Sequence, residues 1–183
     1  MENYLNSVRK QFEYYKMLGE KAMEQLEESQ LFWQYNEESN SIAVIVNHIA
    51  GNMLSRFTGF LTTDGEKPWR NRDAEFVNPF PSKEELMARW AEGWECLMQA
   101  LAQLTDADME RIVYIRNDGH TVVEALNRQL AHYPYHIGQM VFIAKMLKNE
   151  QWQTLSIARN KSVEYNTRKF SQDKEKRHFT DDL

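Results

Sequence analysis

The sequence predicts an all-α protein, a four-helix bundle with a polar C-terminal extension, and three observations carry that expectation. Only seven glycines and four prolines interrupt 183 residues, and five of them, Gly65, Pro68, Pro79, Pro81 and Gly119, lie between segments whose apolar residues recur every three or four positions, the period of a helix face. Two capping boxes, Ser82 with Glu85 and Thr121 with Glu124, stand in front of such segments and mark helix starts. Four long amphipathic segments bury their apolar stripes against one another, which is the logic of a bundle.

The first helix is expected over about Asn3 to Glu28, with Tyr4, Val8, Phe12, Tyr15, Leu18, Ala22 and Leu26 at helical spacing. The second runs from about Ser41 to Leu61, with Ile42, Ile45, Ile49, Met53, Phe57 and Phe60 as its inward stripe. Ile42 to Val46 alone would also suit a strand, but a stripe that persists for about five turns argues for helix. Turn formers follow at Thr63-Asp64-Gly65-Glu66-Lys67-Pro68 and Asn78-Pro79-Phe80-Pro81. The third helix opens at Ser82 and points Leu86, Trp90, Leu97, Leu101 and Leu104 inward. Arg111 to Arg116 reads as a short strand or an extended crossing. The fourth helix opens at Thr121 and reaches about Lys148 on a stripe of Leu126, Leu130, Tyr133, Ile137, Met140, Ala144 and Leu147. Residues 1–155 therefore form one bundle domain. Residues 156–183 read as an extended or partly disordered tail, since residues 154–183 carry seven Lys and Arg against five Asp and Glu and little apolar patterning.

A chain of this length fits one domain with a substantial core. Net charge is −5 and pI is near 5.6, which leaves no basic footprint for nucleic acid or an anionic membrane. The apolar runs are far shorter than the roughly 20 residues of a membrane helix. The N-terminus lacks the apolar core of a secretory signal, and the single Cys96 cannot form an internal disulfide. A cytoplasmic location is expected, and Cys96, beside Trp94 and Leu97, reads as an inert buried thiol.

The chemistry concentrates on three histidines. His132 and His136 are four residues apart, so they stack on one helix face, and His48 lies within the second helix. Together they suggest an internal site for a divalent transition metal. Three imidazoles suit zinc, nickel, iron(II) or cobalt(II) and leave a position open for water or substrate, as in catalytic rather than structural sites. The competing reading is a set of core histidines that bind nothing. On the second helix His48 shares a column of small or polar residues with Ser41, Asn52, Ser55 and Gly59, which leaves room for a cavity. Pro134, between the two ligands of the fourth helix, removes an amide and predicts a kink. Tyr133 stands where a His-Glu-x-x-His metalloprotease carries its general base, which disfavours peptide hydrolysis. Asn52, Gln129 and Gln139 are candidates to support the ligands or substrate, and Arg56 and Arg128 could meet a substrate carboxylate if they turn inward. His120 and His178 are read as non-ligands.

These residues resemble the DinB/YfiT-like superfamily of small metal-binding four-helix proteins, over about residues 1–155. The resemblance rests on Asn47-His48-Ile49-Ala50-Gly51-Asn52 and on His132-Tyr133-Pro134-Tyr135-His136-Ile137-Gly138-Gln139; Ser156 to Asn166 also looks like the ending of one uncharacterised bacterial branch. It implies an up-up-down-down bundle, frequently a homodimer, with His48, His132 and His136 as ligands of zinc or nickel. It further implies an enzyme that transfers a low-molecular-weight thiol to an electrophile. Metal-assisted hydrolysis and a non-catalytic or stress-linked metal-binding bundle are the alternatives. Trp69, Phe76 and Phe80 could cover a partner subunit or simply the core.

Overall fold

The computed structural model describes residues 2–77 and 80–181. It is mostly helical. Four long helices, α1 (Glu2–Glu24), α3 (Ile42–Phe57), α4 (Lys83–Gln103) and α5 (Val122–Lys148), share one core, and two short ones, α2 (Glu28–Leu31) and α6 (Ser162–Phe170), sit outside that set. Helix α3 packs chiefly on α4 and α1 on α5, while α3 also meets α5 and α1 touches α4. The shared core contains Phe12, Met53, Trp90, Trp94, Tyr133 and Met140, with Phe12, Trp94 and Tyr133 in mutual ring contact.

The expected helix starts are found where the capping residues stand. Ser82 Oγ accepts from the Glu85 amide at the head of α4, and Thr121 forms a full capping box with Glu124 at the head of α5. The ends differ. Helix α1 stops at Glu24, and the acidic stretch beyond it becomes the separate turn of α2 under a Glu27–Gln30 capping box. Helix α3 stops at Phe57, because Gly59 takes a positive φ of 59° and its carbonyl accepts from the amides of both Thr62 and Thr63. Within α3 every residue except Leu54 is buried. The expected one-sided stripe is thus a helix covered all round, because α4, α5 and the 3-10 turn Asp73–Phe76 all pack on it.

The described residues, mostly helical as expected, also hold one small sheet, where Arg111 to Arg116 read as a short strand or an extended crossing. Ile112–Ile115 is a strand, β1, paired antiparallel with β2 (Asp118–Thr121). The two-residue turn between them places Arg116 and Asn117 at φ 56° and 64°, the geometry of a tight hairpin. A non-glycine pair pays for that conformation with outside partners: Asp64 accepts from both turn amides at 2.9 Å. Helix α5 runs unbroken through Pro134. The C-terminal segment, read as extended or partly disordered, contains α6 and returns to α1, where His178 Nε2 lies 3.1 Å from Ser7 Oγ, Phe179 packs edge-on against Tyr14, and Asp181 pairs with Lys10. Asn78 and Pro79 of the expected turn lie outside the described residues. No helix among the described residues is long and apolar enough to cross a membrane.

Candidate metal centre

Helices α3 and α5 bring His48, His132 and His136 together. A ligand nitrogen from each lies within 4.8 Å of the other two. His132 Nε2 is 3.4 Å from His48 Nε2 and 3.2 Å from His136 Nε2. Two nitrogens each about 2.05 Å from one ion at the tetrahedral angle are about 3.3 Å apart, so these separations match edges of a tetrahedral site. The i,i+4 pair keeps this geometry despite Pro134.

The opposite edge of each ring is engaged by an oxygen. His48 Nδ1 donates to Glu75 Oε2 at 3.0 Å, His132 Nδ1 faces Gln129 Oε1 at 3.4 Å, and His136 Nδ1 faces Gln139 Oε1 at 3.3 Å. Oxygen acceptors favour the ring protons on Nδ1 and leave the three Nε2 atoms as the free lone-pair donors where the rings approach one another. Lone pairs this close repel one another unless a cation lies between them, and this donor chemistry fits a divalent metal.

Burial sets the charge state. His48 is 5% and His136 9% exposed, while His132 is half-buried. Desolvation, reinforced by the neighbouring imidazoles, lowers the His132 pKa to about 3 and the His136 pKa to about 4. Both are therefore neutral, the form a metal needs, across the physiological range. Burial pushes the Glu75 carboxyl upward, but hydrogen bonds from His48 and Arg70 outweigh it, and Glu75 titrates below the usual carboxylate range.

Of the expected supporting residues, Gln129 and Gln139 touch ligand rings. Asn52 is buried one step further away, where its Oδ1 accepts from the Tyr133 hydroxyl at 3.0 Å. Arg56 turns inward, but its guanidinium donates to the Gly65 carbonyl and to Glu66. Arg128 is exposed, close enough for its charge to depress His132 further. Cys96 is half-buried with its Sγ 3.5 Å from Thr58 Oγ1.

Glu75 and Arg70 were invisible to sequence reasoning, and Asn47 stood in the His48 motif without a role. Arg70 grips both oxygens of Glu75, at 2.7 and 2.9 Å, and Asn47 Nδ2 donates to the Glu75 carbonyl at 3.1 Å. Phe76 lies on the His48 ring with centroids 4.8 Å apart. Periodicity reports helix faces, and a carboxylate in an aperiodic connection carries no such signal. The aromatics Trp69, Phe76 and Phe80 were the hint that this connection could cover the core.

A family model described as protein of unknown function (DUF1572) matches residues 1–161. No curated protein and no solved structure matches the chain. With a helical fold, a three-histidine centre and a family match over most of its length, the chain belongs to the DUF1572 family.

Proposed function

We propose that this protein is a divalent-metal-dependent enzyme related to the DinB/YfiT-like proteins, built as an up-up-down-down four-helix bundle. In this reading His48, His132 and His136 hold zinc or nickel, and the enzyme transfers a low-molecular-weight thiol to an electrophile. The observation that carries it is the convergence of three imidazoles with no fourth His, Cys, Asp or Glu in the group among the described residues. Three protein ligands leave coordination open for an exchangeable group, as catalytic sites require. A bound divalent ion supplies Lewis acidity that keeps a thiol in its nucleophilic thiolate form at neutral pH.

The remaining roles fall to the chain. Glu75, Gln129 and Gln139 fix the ligand rings, and the buried Asn52–Tyr133 pair ties α3 to α5 beside them. Arg128 is an exposed cation near His132 that an anionic thiol or substrate would meet, since Arg56 is already engaged. A homodimer belongs to the same proposal: Tyr135, Phe142 and Met146 expose apolar surface along α5 to a second copy.

The test begins with elemental analysis of untagged protein beside His48→Ala and His132→Ala/His136→Ala. Near-stoichiometric zinc or nickel, lost in both variants, is expected, followed by metal-dependent consumption of thiol with an electrophile panel. No metal after reconstitution refutes the centre. Fully metallated protein that is inert with thiols but hydrolyses esters or amides replaces transfer by hydrolysis. Sedimentation as a monomer at micromolar concentration removes the dimer.

A further inference from the structure

We infer that Glu75 is the positioning residue that aims His48 at the metal point, and that Gly51 is its partner because the missing side chain makes room for the Glu75 carboxylate. This deepens the proposed metal centre and rests on it. Gly51 lies three residues after His48, on the same side of α3. A Cβ built on Gly51 would stand 2.4 Å from Glu75 Oε1 and 2.8 Å from its Cδ. Such a clash is ordinarily relieved by swinging the far end of the glutamate away. Here that end cannot move freely, since Arg70 holds both of its oxygens and Oε2 is the acceptor for His48 Nδ1. The one cheap relief therefore detaches the carboxylate from His48.

The arrangement serves orientation more than bulk stability. Arg70 and Glu75 are almost fully buried, with 2% and 7% of their side-chain surface exposed, and the guanidinium paired with both oxygens keeps the carboxylate an anionic, acceptor-only group despite that burial. An acceptor-only group facing Nδ1 compels the Nδ1–H form of His48 and leaves Nε2 bare toward His132. Asn47, immediately before His48 in the chain, holds the Glu75 backbone, so α3 grips the 3-10 turn at two levels. The other two ligands are served by glutamines of their own helix, three residues away. Among the described residues, His48 is the one ligand whose Nδ1 partner comes from another element, and the Cβ position on Gly51 falls on that partner.

The test uses the full chain in four variants, Glu75→Gln among them. Glu75→Ala removes the carboxylate, Gly51→Ala keeps it but displaces it, and Gly138→Ala is the control, since a Cβ there meets nothing within 4 Å. Because Glu75→Ala leaves Arg70 buried and unpaired and could misfold, Gly51→Ala is the decisive variant. The first readout is the tautomer of His48 in metal-free protein, by nitrogen-15 correlation spectroscopy of the imidazoles. Wild type and Gly138→Ala are expected to hold Nδ1–H, and Gly51→Ala to lose it. The second is cobalt(II) and zinc affinity by competition titration, expected to fall about 10- to 100-fold in Gly51→Ala and Glu75→Ala, the usual effect of removing an outer partner of a ligand, and to be partly restored in Glu75→Gln. An Nε2–H His48 in wild type, or an unchanged tautomer in Gly51→Ala, overturns the inference. So does metal affinity equal to wild type in a Gly51→Ala protein that binds metal. The tautomer result stands without metal, so failure of the centre to bind zinc would refute the metal reading and leave the positioning of His48 decided on its own.

Discussion

His132 and His136 reach their depressed pKa values because folding dehydrates them, and this has a consequence for the metal-free protein. In the unfolded chain each imidazole takes a proton near pH 6.5; in the folded chain it does so only near 3 and 4. Below pH 6.5 the unfolded state binds more protons, so stability falls as the pH drops and levels off only below about 3. Metal-free wild type should lose melting temperature from pH 7 to pH 4 more steeply than His132→Asn/His136→Asn. Parallel declines in a calorimetric pH series would contradict this origin. At the same scale, Tyr133→Phe strands the buried Asn52 oxygen. Chemical denaturation should show a loss of about 1–3 kcal/mol, the cost of an unsatisfied buried acceptor.

Helices α3 and α4 owe their close contact to Gly93, where an added Cβ would stand 2.7 Å from the Ala50 Cα. Backbone cannot swing aside as a side chain can, so the helices must separate. Gly93→Ala should destabilise by about 1–3 kcal/mol, in the range for overpacked cores. Gly138 in α5 offers the contrast, because open space surrounds it. Replacing that helical glycine by alanine should stabilise by up to about 1 kcal/mol, read as a higher melting temperature with unchanged metal content. The head of α5, which delivers two of the three ligands, depends on its capping box; Thr121→Ala should cost about 1 kcal/mol.

Across the whole molecule, the C-terminal segment is attached by surface interactions. His178 with Ser7, Asp181 with Lys10 and Phe179 with Tyr14 join it to α1, and exposed ion pairs contribute about 0–1 kcal/mol each. Residues 162–183 also lie beyond the family match. A chain ending at Asn160 or Lys161 should therefore fold, lose less than about 2 kcal/mol and bind the same metal per chain as the full protein. A collapse of the unfolding transition on truncation would show that the segment completes the core.

The helices were legible in the sequence because each carries its own instructions: a 3.6-residue apolar period, a capping box, a glycine or turn cluster at its end. The histidines were legible for the same reason, since i and i+4 share a face whatever the surroundings. The hairpin was only half visible, as β1 is four residues long and its positive-φ turn is stabilised by Asp64 from a distant loop. What only the tertiary structure decided is what surrounds His48: α3 buried on every side, Arg56 drawn to Gly65 and Glu66, and Glu75 brought by Arg70 against the ring. The contacts of Arg56 and Glu75 join residues 5 to 27 positions apart through an aperiodic connection. No local propensity encodes such a meeting, because it exists only once the helices have packed and buried charges have found their partners.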